Sequence, residues 1–377
     1  MNNIGKIADT GQSIWLDYID RHLIHSGELN QLIKRDGICG VTSNPAIFEQ
    51  AIRTDKEYAS VLQQLGDVTP AIAFERLAIA DIRAAADVLH PVYEHSDWRD
   101  GYVSLEVSPK LAHDFEGTVK QAMRLWREVG RENLMIKVPA TDAGIPAIQR
   151  LISEGVNVNA TLLFSQAMYQ RVAEAFISGL EQRLLNGGSP SKVASVASFF
   201  ISRIDSAVDT ILEKRLKKTT GDGECGALRS VHGKVAIANA RLAYQHYKTV
   251  FFSPRWEALH ECGAQSQRLL WASTGTKNPA YSDTLYIEEL IGPDTVNTAP
   301  PATLTAFREH GRIRATLEAD ITGATMVMNR LNALDISLDD VTDKLLDDGI
   351  RLFDEAYDKI LDAIVSQRLK KKNSGYA

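Results

Sequence analysis

A lysine set in an otherwise apolar run is the feature of this sequence most suggestive of chemistry: Asn133-Leu134-Met135-Ile136-Lys137-Val138-Pro139. Read as a strand, the run places Leu134, Ile136 and Val138 on one face and Lys137 on the other. An ammonium in that setting is costly to desolvate, which disfavours its charged form and favours a neutral nucleophilic amine, the property an imine-forming lysine needs. A plainer reading stands beside it, in which Lys137 ends a strand and reaches solvent or pairs with Glu106.

Polar side chains recur at alternate positions of other strand-like runs. Ser104, Glu106 and Ser108 share one parity in Ser104-Leu105-Glu106-Val107-Ser108, and Asn157, Asn159 and Thr161 share one in Asn157-Val158-Asn159-Ala160-Thr161. In a parallel barrel, inward polar residues near the C-terminal ends of strands line the mouth. Each alone reads equally well as a capped strand end or a satisfied turn, but several converging on a lysine point to a site. Asp17 is a carboxylate inside the apolar and aromatic strand Ile14–Tyr18, where a cap or an ion-pair partner is as good a reading as a catalyst. Asn44 precedes a helix that Pro45 is placed to open, as turn former or as ligand. Arg203 follows Ser198-Phe199-Phe200, and Ser273 and Lys277 lie in the Gly- and hydroxyl-containing loop Ala272–Pro279. Those cations, Ser273 and loop amides can hold a phosphate dianion, since barrels often bind phosphate beside their last strands. The loop by itself also reads as ordinary surface.

No metal or cofactor is expected. The nine histidines form no ligand pair, the three cysteines (Cys39, Cys225, Cys262) are scattered, and GxGxxG, P-loop and GxSxG patterns are absent. Carbonyl chemistry without a metal leads towards an imine.

Eight short segments can position these residues: Ser13–Tyr18, Gly40–Ser43, Tyr102–Ser108, Asn133–Val138, Val156–Leu163, Val193–Phe199, Leu269–Ser273 and Thr295–Ala299. Most are followed by a helical pattern, as at Ala71–Leu89, which predicts an α/β chain and a closed (β/α)8 TIM barrel with additional helices. Thr219–Gly226 reads as a surface turn between a helix ending at Lys218 and another starting near Val231. The segment 338–369 reads as an amphipathic C-terminal helical extension packed on the barrel, with 370–377 frayed. The expectation is one domain over residues 1–377. Of the 377 residues 44% are apolar and 24% charged, with a net charge of −6. That balance is globular and offers no basic face for nucleic acid or an anionic membrane. The odd cysteines suit a reducing compartment, and neither a signal segment nor an apolar stretch of membrane-spanning length is present, so a soluble cytoplasmic protein is expected.

From Trp15 to about Pro301 the chain resembles the transaldolase family, and most closely its longer bacterial branch. The matching stretches are Gly40-VTSNPAIF, Ser104-LEVSP, Asn133-LMIKVPAT, Gly155-VNVNATLLFS, Ala194-SVASFFISRID and Leu269-LWASTGTKNP, with Thr295-VNTAPPATL marking the longer branch. The resemblance implies a class I aldolase-like barrel that carries a dihydroxyacetone unit between sugar phosphates on a lysine Schiff base, in the non-oxidative pentose phosphate pathway. It implies that Lys137 is the Schiff-base lysine and that Glu106 and Thr161 position a water. Asp17 becomes the carboxylate that takes and returns the proton of the substrate hydroxyl. It implies further that Asn44, Asn159 and Ser198 hold donor hydroxyls beside an aromatic wall at Phe200, and that Arg203, Ser273 and Lys277 bind phosphate. Many relatives end that loop in arginine, and lysine lacks arginine's bidentate fork. Relatives include monomers and dimers, and sugar phosphates are the only partners implied. The rival readings are an aldolase that releases free dihydroxyacetone and a barrel that has lost catalysis and only binds.

Overall fold

The computed structural model describes residues 2–374. Its strands are β1 (Gln12–Leu16), β2 (Gly40–Val41), β3 (Tyr102–Glu106), β4 (Leu134–Pro139), β5 (Val158–Leu163), β6 (Ser195–Phe200), β7 (Arg268–Ala272) and β8 (Thr295–Ala299). All pair in parallel, in chain order, and β8 returns to β1 to close the barrel. Runs such as Leu134–Pro139 and Val158–Leu163 are buried along their whole length. That is the pattern of a sheet covered by helices outside and packed with side chains inside.

Helices wrap the barrel because their apolar stripes need a partner. The helix Pro70–His95 starts at Thr69, whose side chain accepts from Ile72 N–H, and it buries Leu77, Ile82, Ala85 and Leu89. It outlasts the expected end at Leu89 and runs through Pro91, because buried Tyr93 continues the packing. The expected turn at Thr219–Gly226 is shorter. Asp222–Val231 forms a helix of its own, with Asp222 and Glu224 in the first turn, where their charges suit the helix dipole despite two glycines.

The N-terminal end of the barrel is plugged. Trp15 is fully buried and lies so near β2 that a Cβ on Gly40 would come within 2.5 Å of its ring, so only glycine fits there. Arg268, buried at the start of β7, donates to Asp100 at 2.9 Å and to Ser13 at 2.7 Å, while Ser13 and Trp15 also donate to Asp100. This closed network holds the end opposite to the one at which barrel enzymes do their chemistry.

A single long helix, Leu338–Ser374, follows the last barrel elements and passes the expected end at Leu369. It packs on the helices Pro45–Thr54 and Pro70–His95 and reaches β5. Residues 375–377 of the expected frayed tail lie outside the described residues. Among the described residues no helix is long and apolar enough to cross a membrane.

Candidate active site

The barrel register assembles the centre. Glu106 on β3 pairs with Lys137 on β4, which pairs with Asn159 on β5, so three side chains of one parity lie abreast on neighbouring strands. Lys137 is 5% exposed; its Nζ donates to Ser43 O at 2.9 Å and stands 3.5 Å from Glu106 Oε2. The lysine therefore does pair with Glu106, but inside the barrel and not at its surface.

Glu106 is unusual among buried carboxylates. Neither oxygen has a well-formed hydrogen bond among the described residues, and the hydroxyl of buried Thr161 is likewise without a partner. Buried polar atoms are rarely left so, and a water or a substrate atom is the usual explanation. A side chamber of about 40 Å³, lined by Glu106, Ser108, Gln121 and Tyr357 among others, gives room for water beside the carboxylate. Burial pushes the Glu106 pKa up; the Lys137 charge opposes that shift and Asp17 adds to it.

Asp17 lies one residue beyond β1, not inside the strand as expected. The reason is geometric: its N–H still donates to Ala299 O at 2.9 Å, but the chain turns away there, which frees the carboxylate to face the mouth. Thr42 donates to Asp17 Oδ1 at 2.7 Å and also lies 2.7 Å from the Thr298 hydroxyl. Burial raises the Asp17 pKa, while the Thr42 hydrogen bond and the charges of Lys137 and Lys277 work against it. Two carboxyls of raised pKa that both feel the charge of one buried amine form the kind of cluster found where protons are moved.

A cavity of about 420 Å³ opens above these groups, within the range of small-molecule sites. Asp17, Asn44, Lys137, Thr161, Ser198, Phe200, Arg203, Ser273 and Lys277 all line it. Asn44 also caps the helix Pro45–Thr54, its Oδ1 accepting from Ile47 N–H at 3.1 Å, so cap and cavity wall are one residue. Glu106 and Asn159 are the exceptions: Glu106 opens on the side chamber instead, and Asn159, fully buried, donates to Ser104 Oγ at 3.1 Å and accepts from Ser198 Oγ at 2.6 Å. Asn159 thus holds Ser198, which does reach the cavity.

The opposite wall is cationic. Arg203, in the first turn of the helix Ser202–Leu216, lays its guanidinium over the Phe200 ring at 5.3 Å and has no hydrogen bond or ion pair among the described residues. Burial lowers its pKa, and the nearby charge of Asp348 resists this. Ser273 adopts a left-handed φ of 55°, and its hydroxyl lies 2.9 Å from that of Ser202. Lys277 stands exposed on the same loop. A half-buried guanidinium with unspent donors, hydroxyls and a second cation can accept a dianion.

Sequence reasoning missed Thr42, Thr298 and the place of the C-terminal helix over the cavity. Thr42 shares parity with Asn44, which was a usable signal. Leu352, Phe353, Ala356 and Lys359 of the helix Leu338–Ser374 line the cavity, but amphipathic spacing says only that a helix packs, not over what.

With this geometry in place, comparison with known proteins is decisive for kinship. The profile of the transaldolase/fructose-6-phosphate aldolase family matches residues 14–364. The chain belongs to this family. "Transaldolase 2" of Nostoc sp. (strain PCC 7120 / SAG 25.82 / UTEX 2576) is 48% identical over 370 residues, 97% of each chain. "Transaldolase" of Trichodesmium erythraeum (strain IMS101) is 47% identical over 374 residues, 98% of each. "Transaldolase" of Neisseria meningitidis (strain Z2491) is 46% identical over 367 residues, 97% of this chain and 100% of the relative. Similarity to these transaldolase-family members thus extends over the C-terminal helix as well as the barrel.

Proposed function

We propose that the protein is a transaldolase that moves a dihydroxyacetone unit from a ketose phosphate, fructose 6-phosphate or sedoheptulose 7-phosphate, to an aldose phosphate through an imine on Lys137. One observation carries the reading: a buried amine 3.5 Å from Glu106 lines, together with Asp17, a cavity that also holds the guanidinium of Arg203, unpaired among the described residues.

Attack on the ketone requires the free amine, and Glu106 at 3.5 Å is the neighbour able to take the proton of the ammonium. The Lys137 nitrogen bonds to the carbonyl carbon as the carbon–oxygen π bond breaks, and one of the nitrogen's protons passes to the oxygen, which becomes a hydroxyl. Glu106, through a water shared with Thr161, returns a proton to that hydroxyl, which leaves as water. The iminium then draws electrons from the adjacent carbon–carbon bond as Asp17 removes the proton of the neighbouring hydroxyl. An aldose phosphate departs, and an enamine stays on Lys137. An incoming aldose phosphate reverses these steps, with Asp17 giving its proton back to the new alkoxide. Burial of both carboxyls favours their neutral forms, so each can hold a proton between steps. Asn44 and Ser198 are placed to hold donor hydroxyls, and Arg203, Ser273 and Lys277 the phosphate.

Borohydride added with fructose 6-phosphate is expected to fix a reduced three-carbon mass on Lys137, and Lys137→Ala to abolish it. Labelling on another residue, or none, would refute the reading. Free dihydroxyacetone released equally fast with and without an acceptor aldehyde would make the enzyme an aldolase instead.

A further inference from the structure

The C-terminal helix contains one glycine, Gly349, well inside its span, where glycine weakens a helix. A Cβ built there would meet Leu162 Cδ2 at 3.0 Å and Arg203 Nη1 at 3.7 Å. The helix therefore lies directly on both residues at that point. Both matter to the cavity.

Leu162 follows Thr161 on β5 and takes a left-handed φ of 61°, where the register with β6 shifts between Ala160 and Leu163. A buried non-glycine residue stays in that conformation only when its surroundings hold it. The helix surface at Gly349 is one such support. Arg203 lies over the Phe200 ring and beside the same surface, while the adjacent Asp348 pairs with Arg351 at 3.0 Å. The guanidinium thus has a neighbour on each of two sides and no hydrogen-bond or ion-pair partner among the described residues.

We propose that Gly349 is a positioning residue for phosphorylated substrates: its missing side chain lets the C-terminal helix seat Leu162 and aim Arg203 into the cavity. This rests on Arg203 receiving the phosphate. A side chain at 349 lifts the helix or turns the guanidinium, and the loss falls on the phosphate and not on the aldehyde. Trimming Leu162 makes room for it.

Steady-state kinetics with fructose 6-phosphate as donor and either glyceraldehyde 3-phosphate or unphosphorylated glyceraldehyde as acceptor test this. Gly349→Leu is expected to raise KM for the phosphorylated acceptor about tenfold and to leave KM for glyceraldehyde within about twofold. Adding Leu162→Ala is expected to recover most of the loss, the coupling that residues in contact show. Equal changes for both acceptors, or no recovery in the double variant, would overturn the proposal. If Gly349→Leu does not fold, Gly349→Ala serves: a rise of about twofold confined to the phosphorylated acceptor supports the proposal, and a rise for both or for neither opposes it. Arg203→Met separates the two levels. Loss of preference for the phosphorylated acceptor in Arg203→Met with none in the Gly349 variants defeats only the positioning role. An unchanged preference in Arg203→Met defeats the assignment of the phosphate itself.

Discussion

Glu106→Gln isolates the proton chemistry from everything else the site does. The substitution keeps the side-chain volume, so the chamber of about 40 Å³ beside it still has room for water. What is lost is the carboxyl that stands 3.5 Å from Lys137 Nζ, with neither oxygen in a well-formed hydrogen bond among the described residues. Removing a positioned acid–base group typically costs about 10²–10⁴ in rate. Thr161 remains, its hydroxyl without a partner among the described residues, so the smaller half of that range is expected, about 10²–10³, or roughly 3–4 kcal/mol of barrier. Rapid-quench borohydride trapping in single turnovers reads the rate of imine formation directly. The KM for fructose 6-phosphate is expected to change little, because Arg203, Ser273 and Lys277 are untouched. Thr161→Val alone is expected to cost about tenfold, and the double variant little more than Glu106→Gln alone, since both groups act on one water. An imine formed by Glu106→Gln within about threefold of the wild-type rate would refute the role of Glu106, and additive losses would refute the shared water.

Three further outcomes are expected. Asp17→Asn should still form the imine but not break the carbon–carbon bond, so borohydride fixes the whole ketose phosphate on Lys137; a three-carbon adduct at wild-type yield would count against Asp17 as the base. Asp205, buried beneath Tyr286 and Ala236, has its pKa pushed up from 3.8 to about 6, mainly by burial. The folded protein then holds a proton that the unfolded chain releases, so stability is full below pH 3.8 and falls as the pH rises through about 6. That interval is worth roughly 3 kcal/mol, and Asp205→Asn should flatten it; urea midpoints at acid and neutral pH that shift as in the wild type would disprove this. Arg268→Met leaves the Asp100 carboxylate buried without its cation. About 3–5 kcal/mol of stability should be lost, with kcat of the remaining folded enzyme unchanged; an unaltered denaturation midpoint would show the network to be dispensable.

Much of this was legible in the residues themselves. Strand periodicity and a lysine out of place in an apolar run were enough to put Lys137, Glu106 and Asn159 on inward faces, because side chains alternate strictly along a strand. Pro45 marked the helix start that Asn44 caps, since proline fits the first turn and asparagine the position before it. Tertiary structure decided what depends on distance between strands and helices. Only the register shows that Asn159 spends its amide on Ser104 and Ser198 and stays out of the cavity lining. Only packing shows that Asp17 leaves its strand to face the mouth beside Thr42, and that the last helix passes Leu162 and Arg203 at a glycine. Local sequence sets which face a side chain takes, because the backbone period is local. Which partner it meets there depends on how eight strands close, and contacts between residues far apart in the chain determine that closure.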